Sequence, residues 1–512
     1  MGRRVFGIAW IILFLLSGAW AMATPISASP DEPAHLVKAA SVVRGQFVGE
    51  PSDIGHVVQV PQYVASTHAL TCFAFQPDVP ASCVPEVAGN PWQTVNGTTT
   101  AGLYNPVYYV LVGWPSLVIQ NDAGVYAMRL MNALVCSLFL AVSAGLIARW
   151  RRPGMAALGF AAAITPMVLF LNATVNPNSL EITTILAVFV GMLGITLHPR
   201  RDLLATRATV VMIAGAIAVN TRGLAPLWLL VAIAAPLLLV SGRQLGELAR
   251  SRIVQAAAAV VAVATAAAIV WLLTSSSLTA GVDDPSETLA PPSVGESAVT
   301  GFIAALERTF RLGGSIVGYF GWLDTPAPLA VYFIWAMFVG TLALLAFVLL
   351  RGRRFALAAS VVAIVVLVPP LIQGAYITGG GFIWQGRYTL PAFVCAVVVL
   401  AALLSERLLL ERSILRRLAL AVAVLWAGAQ WYSFMTALKR YGVGIEGTWV
   451  ELLLRPDWAP PGGNLLWAVV SLAVIAAAGV LLYRWATAPV VTDRVEPTRR
   501  GASAGVVRPA RR

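Results

Sequence analysis

Apolar runs of about 20 residues recur along almost all of this 512-residue chain, and no other feature restricts its fold so severely. A hydrocarbon core is ~30 Å thick, so a helix of ~20 residues crosses it, and in lipid every backbone polar group must be satisfied inside such an element. Only 11% of the residues are charged, against roughly 25% in a soluble protein. The chain is expected to be all-α, a polytopic transmembrane helical bundle.

The formal charge of +12 suggests nucleic acid until its placement is considered. The arginines cluster as Arg149, Arg151 and Arg152; as Arg200, Arg201 and Arg207; as Arg243, Arg250 and Arg252; as Arg351, Arg353 and Arg354; and as Arg407, Arg412, Arg416 and Arg417. These are short loops on alternate sides of the apolar runs, as the positive-inside rule requires, so the arginines set topology and no nucleic-acid partner is implied. Threading the chain through them predicts about twelve spans: 5–23, 124–148, 155–172, 179–197, 207–220, 224–241, 252–273, 329–350, 355–377, 388–405, 416–436 and 464–484. Both termini are then cytoplasmic. Residues 1–440 form the membrane-embedded core, 441–485 an outer loop and last span, and 486–512 a disordered basic cytoplasmic tail. The run 207–220 is short for a crossing. The run 107–119 is read as an interfacial or re-entrant helix, because a thirteenth crossing would invert every later basic loop. The first run is long for a signal peptide, despite cleavage-like Ala19-Trp20-Ala21 and Ala21-Met22-Ala23, and is read as an uncleaved anchor.

Three outer loops follow from this scheme, at 24–123, 274–328 and 437–463. The second carries the turn signals Asp283-Asp284-Pro285 and Pro291-Pro292 before a short helix around 302–310. Cys136 and Cys395 lie in apolar runs. Cys72 and Cys83 share the first loop and are a disulfide candidate in an oxidising compartment; in the cytoplasm the pair would stay reduced.

That first loop opens on Ser29-Pro30-Asp31-Glu32-Pro33-Ala34-His35, directly after the first span. Ser29 as N-cap, Pro30 as first helical residue and Glu32 as third make a capping box, so Glu32 is either a cap or a chemical group. At helical spacing Asp31, His35 and Lys38 share a face. A carboxylate beside an imidazole suits a general base for an attacking hydroxyl; the alternative for His35 is a surface pair. Ionisable groups this close to a bilayer are functional candidates.

Pro30 to His35 after the first span, Asn105-Pro106 with Tyr108-Tyr109 before the second, and Gln385-Gly386-Arg387-Tyr388 with Pro391 resemble the bacterial membrane-protein family known as domain of unknown function 2142. The resemblance runs over most of the chain. That family is similar in layout to the C-type glycosyltransferases, multi-span enzymes that take a sugar from a polyprenyl phosphate or diphosphate outside the cytoplasmic leaflet. In those enzymes an acidic residue of the first outer loop stands at the active centre. The resemblance implies catalytic positions at Asp31 and Glu32, to which the helical spacing adds His35, with a polyprenyl-linked sugar donor, membrane lipids and a glycan acceptor as partners, and a bacterial plasma-membrane enzyme with its active site outside.

Such a donor leaves as a phosphate, so cations are needed near the base. Arg222 after Asn220-Thr221 and Arg387 after Thr378-Gly379-Gly380-Gly381 are candidates, with Tyr388 beside the second; both arginines also suit interfacial anchors. Lys38, Asn176, Asn178 and Tyr108 are substrate-binding candidates. Helix capping competes for Asn172, Asn176, Asn178 and Glu181, and interfacial anchoring for Trp92, Trp114, Tyr104, Tyr108 and Tyr109. No ligand-spaced histidines indicate a metal, no cofactor is implied, and no glycine loop of the soluble nucleotide-binding kind is present. A transporter or flippase of a lipid-linked glycan is the alternative. The runs carry almost no charge apart from Glu181 and no visible internal repeat, which disfavours it.

Overall fold

The computed structural model describes residues 2–87, 89–275 and 293–488, the side chains of 310–313 excepted. In chain order it contains α1 (Gly2–Ala23), α2 (Glu32–Val42), strands β1 (Glu50–Ser52), β2 (Gly55–Pro61) and β3 (Thr94–Thr99), and α3 (Val107–Gly113). There follow α4 (Asp122–Ile147), α5 (Pro153–Ala163), α6 (Pro166–Asn172), α7 (Pro177–Thr196), α8 (Arg201–Ala218), α9 (Ala225–Leu237) and α10 (Arg252–Ser275). The last helices are α11 (Ala298–Val317), α12 (Leu329–Leu349), α13 (Gly352–Gly380), α14 (Leu390–Arg407), α15 (Arg412–Val443) and α16 (Asn464–Ala486).

Helices occupy all twelve expected span positions. Among the described residues 9 are long and apolar enough to cross a membrane, and the bent pair α5–α6 makes a tenth when taken as one span. The other two differ for visible reasons. α8 opens with Arg201, Asp202 and Arg207, and α9 has only 13 residues. The 65° bend between α5 and α6 falls at Thr165-Pro166, where proline removes an amide donor and holds the preceding residue extended. The Ala162 carbonyl that loses its partner accepts from Trp335 Nε1 at 2.8 Å, and the Ile164 carbonyl at the break accepts from Trp426 Nε1 at 3.2 Å and Gln430 Nε2 at 2.8 Å, which makes the break tolerable in an apolar setting.

Every residue of the hydropathic window of α7 is buried, and α14 is nearly as enclosed. Around them pack α4, α5, α8 and α9, whereas α10, α12, α13 and α16 keep most of their apolar surface outward, as lipid-facing helices do. One end of the bundle gathers Arg3, Arg149, Arg151, Arg200 and Glu406 around a cavity of about 650 Å³. The other end carries residues 24–121.

In that region α2 is buried over its whole length, against the antiparallel sheet β1-β2-β3 and against α3. It is a pillar in which the polar Glu32, His35, Lys38 and Ser41 are buried along with Ala34, Leu36, Val37, Ala39, Ala40 and Val42. α3 and the short helix Pro115–Val118 bury Tyr108 and Tyr109 and expose Val107, Val110, Trp114, Leu117 and Val118, a pattern that suits a membrane interface. Cys72 and Cys83 are bonded, with Cα atoms 6.1 Å apart. Nearby, Arg440 donates to the carbonyls of Phe73 and Val79 at 2.7 and 2.8 Å and pairs with Asp324 at 3.2 Å, tying the loop to α15. That helix continues to Val443, so the start of the expected third loop is helical. The short helix expected at 302–310 is part of the 20-residue α11. The turn signals at 283–285 and 291–292, and the tail from 489, lie outside the described residues.

Candidate active site

Asp31 is the residue before α2, held at φ 64 with no side-chain capping bond. A positive φ is uncommon outside glycine, but aspartate is one of the few residues that tolerate it. Ser27 upstream has φ 66, so the chain turns sharply twice between α1 and α2. The expected capping box does not form: Ser29 Oγ donates to Thr174 Oγ1, and Glu32 starts the helix instead of occupying its third position. Asp31 is thereby free of backbone duty. Its Oδ2 accepts from Arg387 Nη2 at 2.5 Å while half of the side chain, 51%, stays accessible. Burial raises the Asp31 pKa, but the Arg387 and Arg222 guanidiniums outweigh it and hold the carboxyl below its ordinary value. The group is an anion at neutral pH.

Glu32 points elsewhere, which corrects its assignment to the chemistry. Its carboxylate accepts from Arg129 Nε at 2.7 Å and Nη2 at 2.5 Å and from the Val175 amide at 3.1 Å, with both side chains wholly buried. Arg129 also donates to the carbonyls of Ala21, Thr24 and Pro25. Glu32 with Arg129 therefore clamps the α1–α2 turn that presents Asp31. Arg129 was not anticipated; one cation inside the otherwise apolar run of α4 was the available signal.

Beside Asp31 lies a cavity of about 340 Å³. Arg222, Glu181, Tyr104, Trp384 and Tyr388 line it together with apolar residues of α9, α10 and α13. The two arginines come from loops far apart in sequence and meet across Tyr388, whose ring centre is 4.7 Å from the Arg222 guanidinium and 5.3 Å from that of Arg387. Gln373 fixes the second loop: its Nε2 donates to Gly381 and its Oε1 accepts from the amides of Ile383 and Trp384. Gly381, at φ 67, ends α13 and starts that turn. Tyr388 feels both arginines, which overcome burial and lower its pKa.

Arg387 is only 1% exposed, yet its Nε and Nη1 have no hydrogen-bond partner. Buried donors left unpaired cost about 1–3 kcal/mol each, more when charged. An anion bound there removes that cost. His35 Nδ1 meets Tyr109 Oη at 2.8 Å, and its ring centre lies 5.7 Å from that of Tyr104. Burial outweighs the attraction of Asp31 and lowers the His35 pKa to about 3, so the imidazole is neutral.

Four expected substrate contacts are not at the cavity. Lys38 is buried and donates to the carbonyls of Phe47 and Gly102, holding the loop together; burial lowers its pKa to about 8. Asn176 caps α7 through the Asn178 amide and donates to Pro30. Asn178, also buried, accepts from Arg222 and so orients that guanidinium. Tyr108 is enclosed and donates to Asn132 Oδ1 at 3.1 Å. Lys38, Asn176 and Tyr108 are engaged by internal hydrogen bonds, whereas Asn178 holds Arg222 through Oδ1 and keeps its Nδ2 unpaired.

A family model described as "Predicted membrane protein (DUF2142)" matches residues 14–396. No curated protein matches the chain. Among solved structures, the crystal structure of ArnT from Cupriavidus metallidurans in the apo state is similar over 93% of this chain and 77% of that one, with 15% identity and a TM-score of 0.42.

Proposed function

The chain belongs to the DUF2142 family of predicted membrane proteins, and on that footing we propose that it is a membrane glycosyltransferase that moves a sugar from a polyprenyl-phosphate donor to an acceptor hydroxyl outside the cytoplasmic leaflet. The observation that carries this reading is the ion pair of Asp31 with Arg387, whose buried Nε and Nη1 lack acceptors and whose guanidinium packs on Tyr388, a residue that lines the cavity. In this reading the acceptor oxygen attacks the anomeric carbon and its proton passes to Asp31. The bond from that carbon to the phosphate oxygen breaks on the opposite face, which inverts the configuration. The polyprenyl phosphate leaves with the electron pair, and Arg387 and Arg222 stabilise its developing charge. His35 is a neutral neighbour that keeps the Asp31 proton acceptor in place.

The positive-inside rule puts the arginine-rich end in the cytoplasm and the Asp31 end outside, so the donor enters from lipid, between the outward-facing α10 and α13 that both contribute to the cavity. The transporter alternative calls for a path between two halves, and the fully packed α7 at the centre argues against it. The test is sugar transfer from radiolabelled polyprenyl-phosphate sugars in membranes, with lipid-linked-sugar profiling of a deletion strain. Asp31→Asn is expected to abolish transfer with insertion unchanged, and a deletion strain should accumulate one unused donor. Normal transfer by Asp31→Asn rejects the reading.

A further inference from the structure

The cavity contains a second carboxylate that the transfer step leaves unused. Glu181, on α7, is 2% exposed, lines the cavity together with Arg222, and keeps Oε1 without a hydrogen-bond partner. Arg387, which packs on the cavity-lining Tyr388, has unpaired nitrogens that ask for an acceptor; a carboxylate oxygen asks for a donor. A phosphodiester supplies only acceptors and cannot satisfy Glu181. One occupant that satisfies both ends carries an anionic phosphate and hydroxyl groups.

The surroundings narrow the class further. Tyr104, Trp384 and Tyr388 line the same space, and aromatic side chains suit the apolar C–H surface of a sugar ring. The volume, about 340 Å³, is at the small end of the ~300–1,000 Å³ range of ligand sites, which suits one monosaccharide rather than a glycan chain.

We propose that Glu181 reads the donor sugar, accepting a hydrogen bond from a ring hydroxyl of a hexosyl or pentosyl group, and that it sets which polyprenyl-phosphate sugar is used. The inference rests on the glycosyltransferase reading and deepens it. A site built to accept from a hydroxyl rejects analogues that lack the hydroxyl, because its own polar group is then left unpaired.

Binding separates the two ideas without needing turnover. The full-length protein in lipid nanodiscs is titrated with farnesyl phosphate and with farnesyl-phosphoryl mannose, glucose, galactose and arabinose. Wild type should prefer at least one sugar conjugate over farnesyl phosphate. Glu181→Met should weaken that conjugate roughly 10- to 100-fold, the range for a hydrogen bond to a charged group, while leaving farnesyl phosphate unchanged. Glu181→Gln keeps a carbonyl acceptor and should lose less, and it decides the matter if Glu181→Met does not fold. Full retention of the sugar preference in the folded variants overturns the role of Glu181, as does a wild type with no preference for any conjugate. Wild type that binds neither farnesyl phosphate nor any conjugate rejects the glycosyltransferase reading itself.

Discussion

Glu32→Gln tests whether the acidic pair divides into one structural and one reactive group. In the native site the Glu32 carboxylate receives three donors, two from Arg129 and one from the Val175 amide. A glutamine retains one oxygen for the Arg129 Nε and Val175 donors but sets an amide nitrogen against Arg129 Nη2, where the oxygen now lies at 2.5 Å. One charge-assisted bond becomes a donor–donor contact, and the guanidinium stays buried without its counter-ion. Removing one partner of a buried pair typically costs about 3–5 kcal/mol, and both side chains here are fully buried, so no solvent screening reduces it. The assay is the unfolding midpoint in detergent for wild type, Glu32→Gln, Arg129→Met and the combined Glu32→Met/Arg129→Met. Both single substitutions should be strongly destabilised, and the apolar pair should recover a large part of the loss, since it leaves no unpaired charge. A Glu32→Gln protein as stable as wild type but without transfer would refute the reasoning and return Glu32 to the chemistry.

Further expectations concern the site and its loop. Asp31→Asn should lower transfer by roughly 10²–10⁴, the loss of a general base, with the unfolding midpoint nearly unchanged because the side chain is half-exposed. Arg387→Lys keeps the charge but loses the planar fork, so transfer should fall while expression holds; wild-type turnover would make Arg387 an anchor only. His35 is buried neutral with a pKa of about 3, below its unfolded value, so its contribution is complete above pH ~6.5 and is lost as pH falls toward 3. Between pH 7.5 and 5 it should cost about 2 kcal/mol, and His35→Asn should flatten the acid limb of the stability curve by that amount. The Cys72–Cys83 bridge spans a separation of 11 residues, for which loop closure gives about 3 kcal/mol, so Cys72→Ser/Cys83→Ser should lower the midpoint. Thiol labelling of intact cells without reductant should leave both cysteines unmodified, and free labelling would count against the outward placement of the loop.

Asp31 and Arg387 each stand in a segment whose apolar flanks and turn residues mark an end of a membrane helix, and such ends are where charge survives next to lipid. The sequence by itself determined the helical membrane class and the placement of its crossings, because hydrophobic length is a property of contiguous residues. It also singled out both partners of the Asp31–Arg387 pair, 356 positions apart, without indicating that they touch. What only the tertiary structure decided is the division of labour among polar residues. Glu32 and Asp31 are neighbours in the chain, yet one meets Arg129 of α4 inside the protein and the other meets Arg387 at a cavity. Likewise Lys38, Asn176 and Tyr108 have the chemistry of substrate contacts but spend it on a loop carbonyl, the Asn178 amide of α7 and the Asn132 side chain of α4. A side chain's donors and acceptors are written in its type; whether they remain available depends on which distant backbone groups folding brings within 3 Å, and that is set by packing rather than by spacing.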